Sequence, residues 1–173
     1  MLRLQRLLLA ILVLLWTGSS YAENSATVRL GFLLNFARYV DWPESTLKPG
    51  ASLHFCLAPG DPDLAAQFGE LSKQSILGRP IQAKQLARLA DVNSCHVLYL
   101  PAEAPGALPA WLGAALQAGA LTVSDQPDFV EVGGMIGLEQ VGGRYRFDVN
   151  LGVARQSNLR ISSQLLKLAR TVK

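Results

Sequence analysis

The chain has 173 residues, half of them hydrophobic and 17% charged, too apolar a composition for a disordered polypeptide. Its length suits one domain with a core of its own. With 16 basic against 13 acidic residues, it lacks the cationic excess that tracks a phosphate backbone or an anionic membrane, so no nucleic acid is expected as a partner.

The first elements concern export. Arg3 and Arg6 precede an unbroken apolar run over residues 7–16, and Ser20 and Ala22 place small residues just before Glu23. Charge, apolar core and small-residue site in that order predict a signal peptide over residues 1–22, with residues 23–173 as the exported domain. The run is about half of the roughly 20 residues that a membrane span needs, which argues against the alternative of an uncleaved anchor. The predicted fate is therefore export. Mass spectrometry of the mature protein is expected to find Glu23 at or near its N-terminus, and Met1 or Leu2 there would overturn the reading. Removing Arg3 and Arg6 takes the 16 basic residues to 14 against 13 acidic, so the exported part is close to neutral.

Residues 25–42 follow as a helix with an unusually wide apolar surface, on which Thr27, Gly31, Asn35, Arg38 and Asp41 recur along one narrow stripe. Pro43 disfavours helical geometry at Trp42 and ends it. A strand is predicted over 53–58. Asp61 then caps a helix that has Pro62 at its first position. Further strands are predicted near 81–86, 96–100 and 121–125, with a helix over 108–118 started by Pro109. Residues 135–140 and 144–150 flank Val141-Gly142-Gly143 as a hairpin, and a terminal helix is predicted near 162–172. Strands alternating with helices predict an α/β fold: a single layered domain with a mostly parallel sheet, a C-terminal β-hairpin and a terminal helix.

The chemistry-bearing residues are few. No nucleophile elbow, P-loop or dinucleotide fingerprint is present. The two histidines, His54 and His96, belong to no spaced ligand cluster, so neither metal nor cofactor is expected, and the chain does not read as an enzyme. Cys56 and Cys95 both lie in the exported part, where a lone pair is read first as a disulfide and otherwise as two buried thiols. Arg144, Arg146, Asp148 and Asn150 alternate along one face of the second hairpin arm, with Arg155 beyond its end. Arg144, Arg146 and Arg155 are thus candidates for contact with an anion, weighed against the plainer reading of a solvated hairpin face. In the long helix, Phe36, Tyr39 and Trp42 are candidate partner-binding residues, because aromatic side chains are favoured anchors. Periodicity alone does not apportion Phe32, Phe36, Tyr39 and Trp42 between core and interface.

Seven segments in register carry a resemblance: FLLNFARYVDWP at 32–43, GRPI at 78–81, CHVLY at 95–99, LTVSD at 121–125, GGMI at 133–136, RFDVN at 146–150 and ISSQLLKLA at 161–169. In that order the chain resembles the YfiR family of small periplasmic regulatory proteins, from about Val28 to its C-terminus. The resemblance implies repression, by protein contact, of an inner-membrane diguanylate cyclase through its periplasmic sensory region, and so control of cyclic di-GMP and biofilm formation. It implies as partners such a cyclase or another membrane sensor protein, with a homodimer also in view. Cys56 and Cys95 match one of the namesake's two disulfides. The second has no counterpart here, which removes the basis for redox switching through it. The alternative function is a periplasmic small-molecule binding protein feeding a sensor or transporter.

Overall fold

The computed structural model describes residues 19–104 and 106–173; the basic and apolar regions of the predicted signal lie outside the described residues. Helix α1 (Ser19–Arg38) runs through the predicted cleavage position after Ala22. Ala26, Leu30, Leu33, Phe36 and Ala37 recur along it at three- and four-residue steps and are all buried, the stripe that a helix packed on a sheet requires. It stops four residues before Trp42, because the chain is drawn into a two-residue strand, β1 (Val40–Asp41). That strand pairs antiparallel with a later segment, β9 (Arg160–Ile161), Val40 opposite Ile161.

The central elements follow in chain order. Strand β2 (Leu53–Leu57) leads to α2 (Pro62–Phe68), capped as predicted by Asp61, whose side chain accepts from the Leu64 amide. A 3-10 segment (Gly69–Lys73) leads to β3 (Ser75–Ile76) and β4 (Arg79–Gln85). A second 3-10 segment (Leu89–Ser94) precedes β5 (Val97–Leu100), and α3 (Leu108–Ala118) connects to β6 (Leu121–Ser124). Strands β7 (Ile136–Val141) and β8 (Arg144–Val149) form the hairpin. Gly142 and Gly143, both at positive φ, make the tight turn that the strand twist favours.

The eight-stranded sheet has the order β10-β8-β7-β6-β5-β2-β4-β3, where β10 is Thr171–Val172 at the C-terminus. Its middle, from β7 to β4, is parallel throughout. Alternation along each strand divides the side chains between two faces. Leu53, Phe55, Leu57, Val97, Tyr99, Leu121 and Val123 join the core beneath α1 and α2. Cys56, Ala58, Leu98 and Leu100 join the second core, with Trp111 and Ala115 of α3. The fold is therefore a layered α/β domain, as its sequence predicts.

The C-terminus departs from expectation. Residues 162–172 do not form one helix: a short α4 (Leu151–Gln156) precedes β9, the turn α5 (Ser163–Leu166) follows it, and the chain closes with β10 (Thr171–Val172). Ser162 caps α5 from its side chain. The open edge of β8 then supplies hydrogen-bonding partners that a continued helix would forgo, and β10 pairs with it in parallel, Thr171 opposite Asp148. Arg170 fastens this junction, donating to Asp148 at 3.0 Å and pairing with Glu139 at 2.6 Å. Its hydrogen bond holds the Asp148 carboxyl below the usual carboxylate range.

Candidate functional site

Arg29 lies on the apolar stripe of α1, one turn from Ala26 and Leu33, and only 8% of its surface is exposed. Burial of an arginine needs compensation. It is supplied from the C-terminal end of the parallel strands. Arg29 Nη1 donates to Asp61 Oδ2 at 2.5 Å, to Asp125 Oδ2 at 3.0 Å and to the Tyr99 hydroxyl at 3.3 Å. Asp61 follows β2, Tyr99 belongs to β5 and Asp125 follows β6, so one guanidinium ties α1 to the ends of three adjacent strands. Burial opposes the Arg29 charge, but Tyr99 and Asp61 raise its pKa overall. Burial pushes the Tyr99 phenol far above its ordinary range, Asp125 adding to the effect, and Tyr99 stays a neutral hydroxyl.

The order β4-β2-β5-β6 makes the β2–β5 boundary a topological switch, where ligands of layered α/β folds commonly bind beyond the strand ends. Here the loops close on each other. Gly60, at φ +129°, has no room for a side chain, since a Cβ would lie 2.7 Å from the Glu103 carbonyl carbon. The Arg29 cluster occupies the adjoining space as a structural clamp.

The candidate partner residues separate. Phe36 is 1% exposed and meets Phe147 edge-on at 5.0 Å; it is a core residue and offers a partner no surface, contrary to its candidacy. Tyr39 and Trp42 are half-buried at the end of α1. Phe32, also half-buried, lies 5.8 Å from the Tyr145 ring. Phe32 and Tyr145 share a groove of about 350 Å³ between α1 and the hairpin, with Val28 along it and Arg144 at its rim. The aromatic surface thus continues from α1 onto β8.

The three candidate arginines are not brought together. Arg144 and Arg146 are exposed on the outer face of β8, with Arg146 opposite Glu139, whereas Arg155 is exposed on α4. Among the described residues no hydrogen bond or ion pair links them to one another, and their arrangement is that of a solvated hairpin face. Cys56 and Cys95 are joined as a disulfide with Cα atoms 5.8 Å apart. They lie in the second core, across the sheet from α1.

The Arg29 cluster has a sequence signal that was available: a charge on the stripe of Ala26, Leu30, Leu33 and Phe36 implies a buried counter-charge. Its partners are not legible, because they stand 32, 70 and 96 positions away. The histidines, by contrast, meet at the N-terminal ends of β2 and β5, with ring centroids 5.2 Å apart. Among the described residues no helix is long and apolar enough to cross a membrane, and no group of three or more His, Cys, Asp or Glu is placed to hold a metal ion.

Comparison with solved structures finds the same kind of α/β layering elsewhere. A conserved domain protein from Vibrio cholerae O1 biovar El Tor is 19% identical, with a TM-score of 0.50, over 75% of this chain and 57% of that one. The ABC domain in complex with L-Trp from Streptococcus pneumonia is 14% identical, with a TM-score of 0.51, over 75% of this chain and 58% of that one. The chain thus spans less than three-fifths of either, and at these identities the likeness concerns the fold alone. No curated protein matches the chain. The profile of a family described as YfiR/HmsC-like matches residues 26–170.

Proposed function

The chain belongs to the YfiR/HmsC-like family, and from that premise we propose that it represses an inner-membrane diguanylate cyclase by binding the cyclase's periplasmic sensory region. Family membership supports the broader reading, a periplasmic regulator of cyclic di-GMP signalling that acts by contact rather than by catalysis. The observation that carries it is the match over residues 26–170, which takes in both cores and both candidate surfaces. The half-buried aromatics Tyr39 and Trp42, with the Phe32–Tyr145 groove, give such a regulator an apolar surface to present.

The test has a cellular and a molecular arm. Affinity capture of the tagged, exported protein from solubilised membranes should recover a diguanylate cyclase, and loss of the chain should raise cyclic di-GMP. Recovery of no cyclase together with unchanged cyclic di-GMP would overturn the proposal. In the purified pair, Tyr39→Ala or Trp42→Ala should weaken binding by about 2 kcal/mol, about thirtyfold in Kd, if that residue is an anchor. An unchanged melting temperature would place the loss at the interface. Full binding by both folded variants would move the interface to the hairpin around Arg144 and Tyr145.

A further inference from the structure

At the N-terminal end of the sheet, His96 is held by hydrogen bonds that fix its protonation state. The backbone amide of His54 donates to His96 Nδ1 at 3.0 Å. An amide can only donate, so Nδ1 must carry a lone pair. The remaining nitrogen, Nε2, therefore bears the ring proton and donates to the Thr46 carbonyl at 3.3 Å. The ring also meets Trp42 edge-on, with centroids 6.4 Å apart. One neutral imidazole thus joins β2, Trp42 just after β1, and the loop that follows Pro43.

His54 is built differently. Its Nδ1 donates to the Ser94 carbonyl at 2.8 Å, so a proton added at its Nε2 breaks none of these bonds. A proton added to His96 has only Nδ1 to go to, where it confronts the His54 amide hydrogen. Binding a proton there and keeping the present geometry are mutually exclusive.

We propose that His96 is a proton-operated latch, which holds Trp42 and residues 43–46 against the sheet while neutral and releases them when it is protonated.

The surrounding charges act in the same direction. The charged or titratable groups that act on the ring are His54 on β2 and Arg79 on β4, while Lys84 of β4 donates to Ser94 Oγ. Burial holds the His96 imidazole below the ordinary histidine range; the Thr46 carbonyl opposes this, and His54 and Arg79 reinforce it. The sign follows from linkage. A histidine depressed in the folded state takes up fewer protons than in the unfolded chain, so the latch is fully closed above the ordinary histidine range and weakens as pH falls through it. The release is local, because Arg79 separately pins the far end of the loop through the carbonyls of Lys48 and Ala51. The space beside the rings, about 530 Å³ lined by Ser45, Thr46, Asn93 and Gln117 among others, gives the freed segment room to move. The latch is a property of the fold and stands or falls independently of the cyclase as partner.

The mature protein is taken from about pH 7.5 to about pH 5, the window in which histidine titrates. Amide exchange of residues 44–47, among them Thr46 and Leu47, which donate to the Pro43 carbonyl, is corrected for intrinsic rates and followed with tryptophan emission, and circular dichroism verifies that the fold persists. Exchange should rise about tenfold for each pH unit between the ordinary histidine range and the lower folded pKa of His96, and level off below it, together with a change in Trp42 emission. In His96→Asn, whose Oδ1 replaces Nδ1 as acceptor without titrating, both responses should vanish. In His54→Asn, which keeps the donating backbone amide, both should persist. A response that survives in His96→Asn, or none in the wild type, overturns the proposal. Should His96→Asn fail to fold, the His96 ring resonances of the wild type decide it: their titration must fall where the rise in exchange levels off, and a mismatch overturns the latch.

Discussion

Arg29→Met is expected to destabilise the domain by about 3–5 kcal/mol, the usual cost of removing one partner of a buried ion pair, and to lower its Tm by about 10–15 °C. The loss arises less from the missing bonds than from what stays behind. Asp61 and Asp125 both point at the position of Nη1, and without the guanidinium they face each other, Asp61 largely buried and Asp125 only partly so. Methionine refills most of the apolar stem's volume, which keeps the packing of α1 largely intact. The cause can therefore be isolated. Asp61→Asn removes the charge yet retains Oδ1, the acceptor that caps α2 at Leu64. Adding Asp61→Asn and Asp125→Asn to Arg29→Met should recover more than half of the lost stability in chemical denaturation. A triple variant no more stable than Arg29→Met would assign the loss to packing instead of charge.

The double change Cys56→Ala, Cys95→Ala should cost about 2–5 kcal/mol, measured by thermal melting under non-reducing conditions. The bridge spans 39 positions, so in the chain-entropy account cutting it frees a long loop in the unfolded state. Replacing both cysteines avoids the complication of a lone reactive thiol. Because both residues are buried on the sheet face opposite α1, the effect on regulation should follow the amount of folded protein. Periplasmic level and cyclic di-GMP measured together should fall on one curve shared with Arg29→Met. A disulfide-free variant that accumulates normally yet no longer restrains cyclic di-GMP would show that the bridge has a part in signalling.

What the sequence discloses depends on how far away each residue's partners lie. Asp61-Pro62 and Gly142-Gly143 encode their structures within a few residues, through a cap and a turn, and both were legible. The strands at 53–57, 97–100 and 121–124 were legible because continuous apolar runs suit a sheet covered on both faces. The pairs β1–β9 and β10–β8 were not. Val40-Asp41 and Thr171-Val172 carry no strand signal of their own, and become strands only because Arg160-Ile161 and Asp148-Val149 arrive beside them. The apolar residues near 165–169 accordingly read as a longer helix than the chain forms. The same locality governs the sites. Phe36 and Tyr39 look alike along α1, and only the position of Phe147 makes one of them core. Arg29 went unread, although it is a charge on an apolar stripe, and nothing nearby in the chain names its acids.

The two borders of the sheet limit how another protein can attach to it. Of the strand beside β3, the stretch beyond Pro80 has its amides already engaged, Ile81 with the Gln74 carbonyl and Ala83 with Ser72 Oγ. At the opposite border the terminal segment covers the last residues of β8, and the uncovered part carries the cations Arg144 and Arg146. Short, occupied or charged borders deny an incoming strand a template. A binding partner must therefore read side chains on the helical layer or the hairpin rather than extend the sheet, and the same arrangement guards against edge-to-edge aggregation of the protein's own copies.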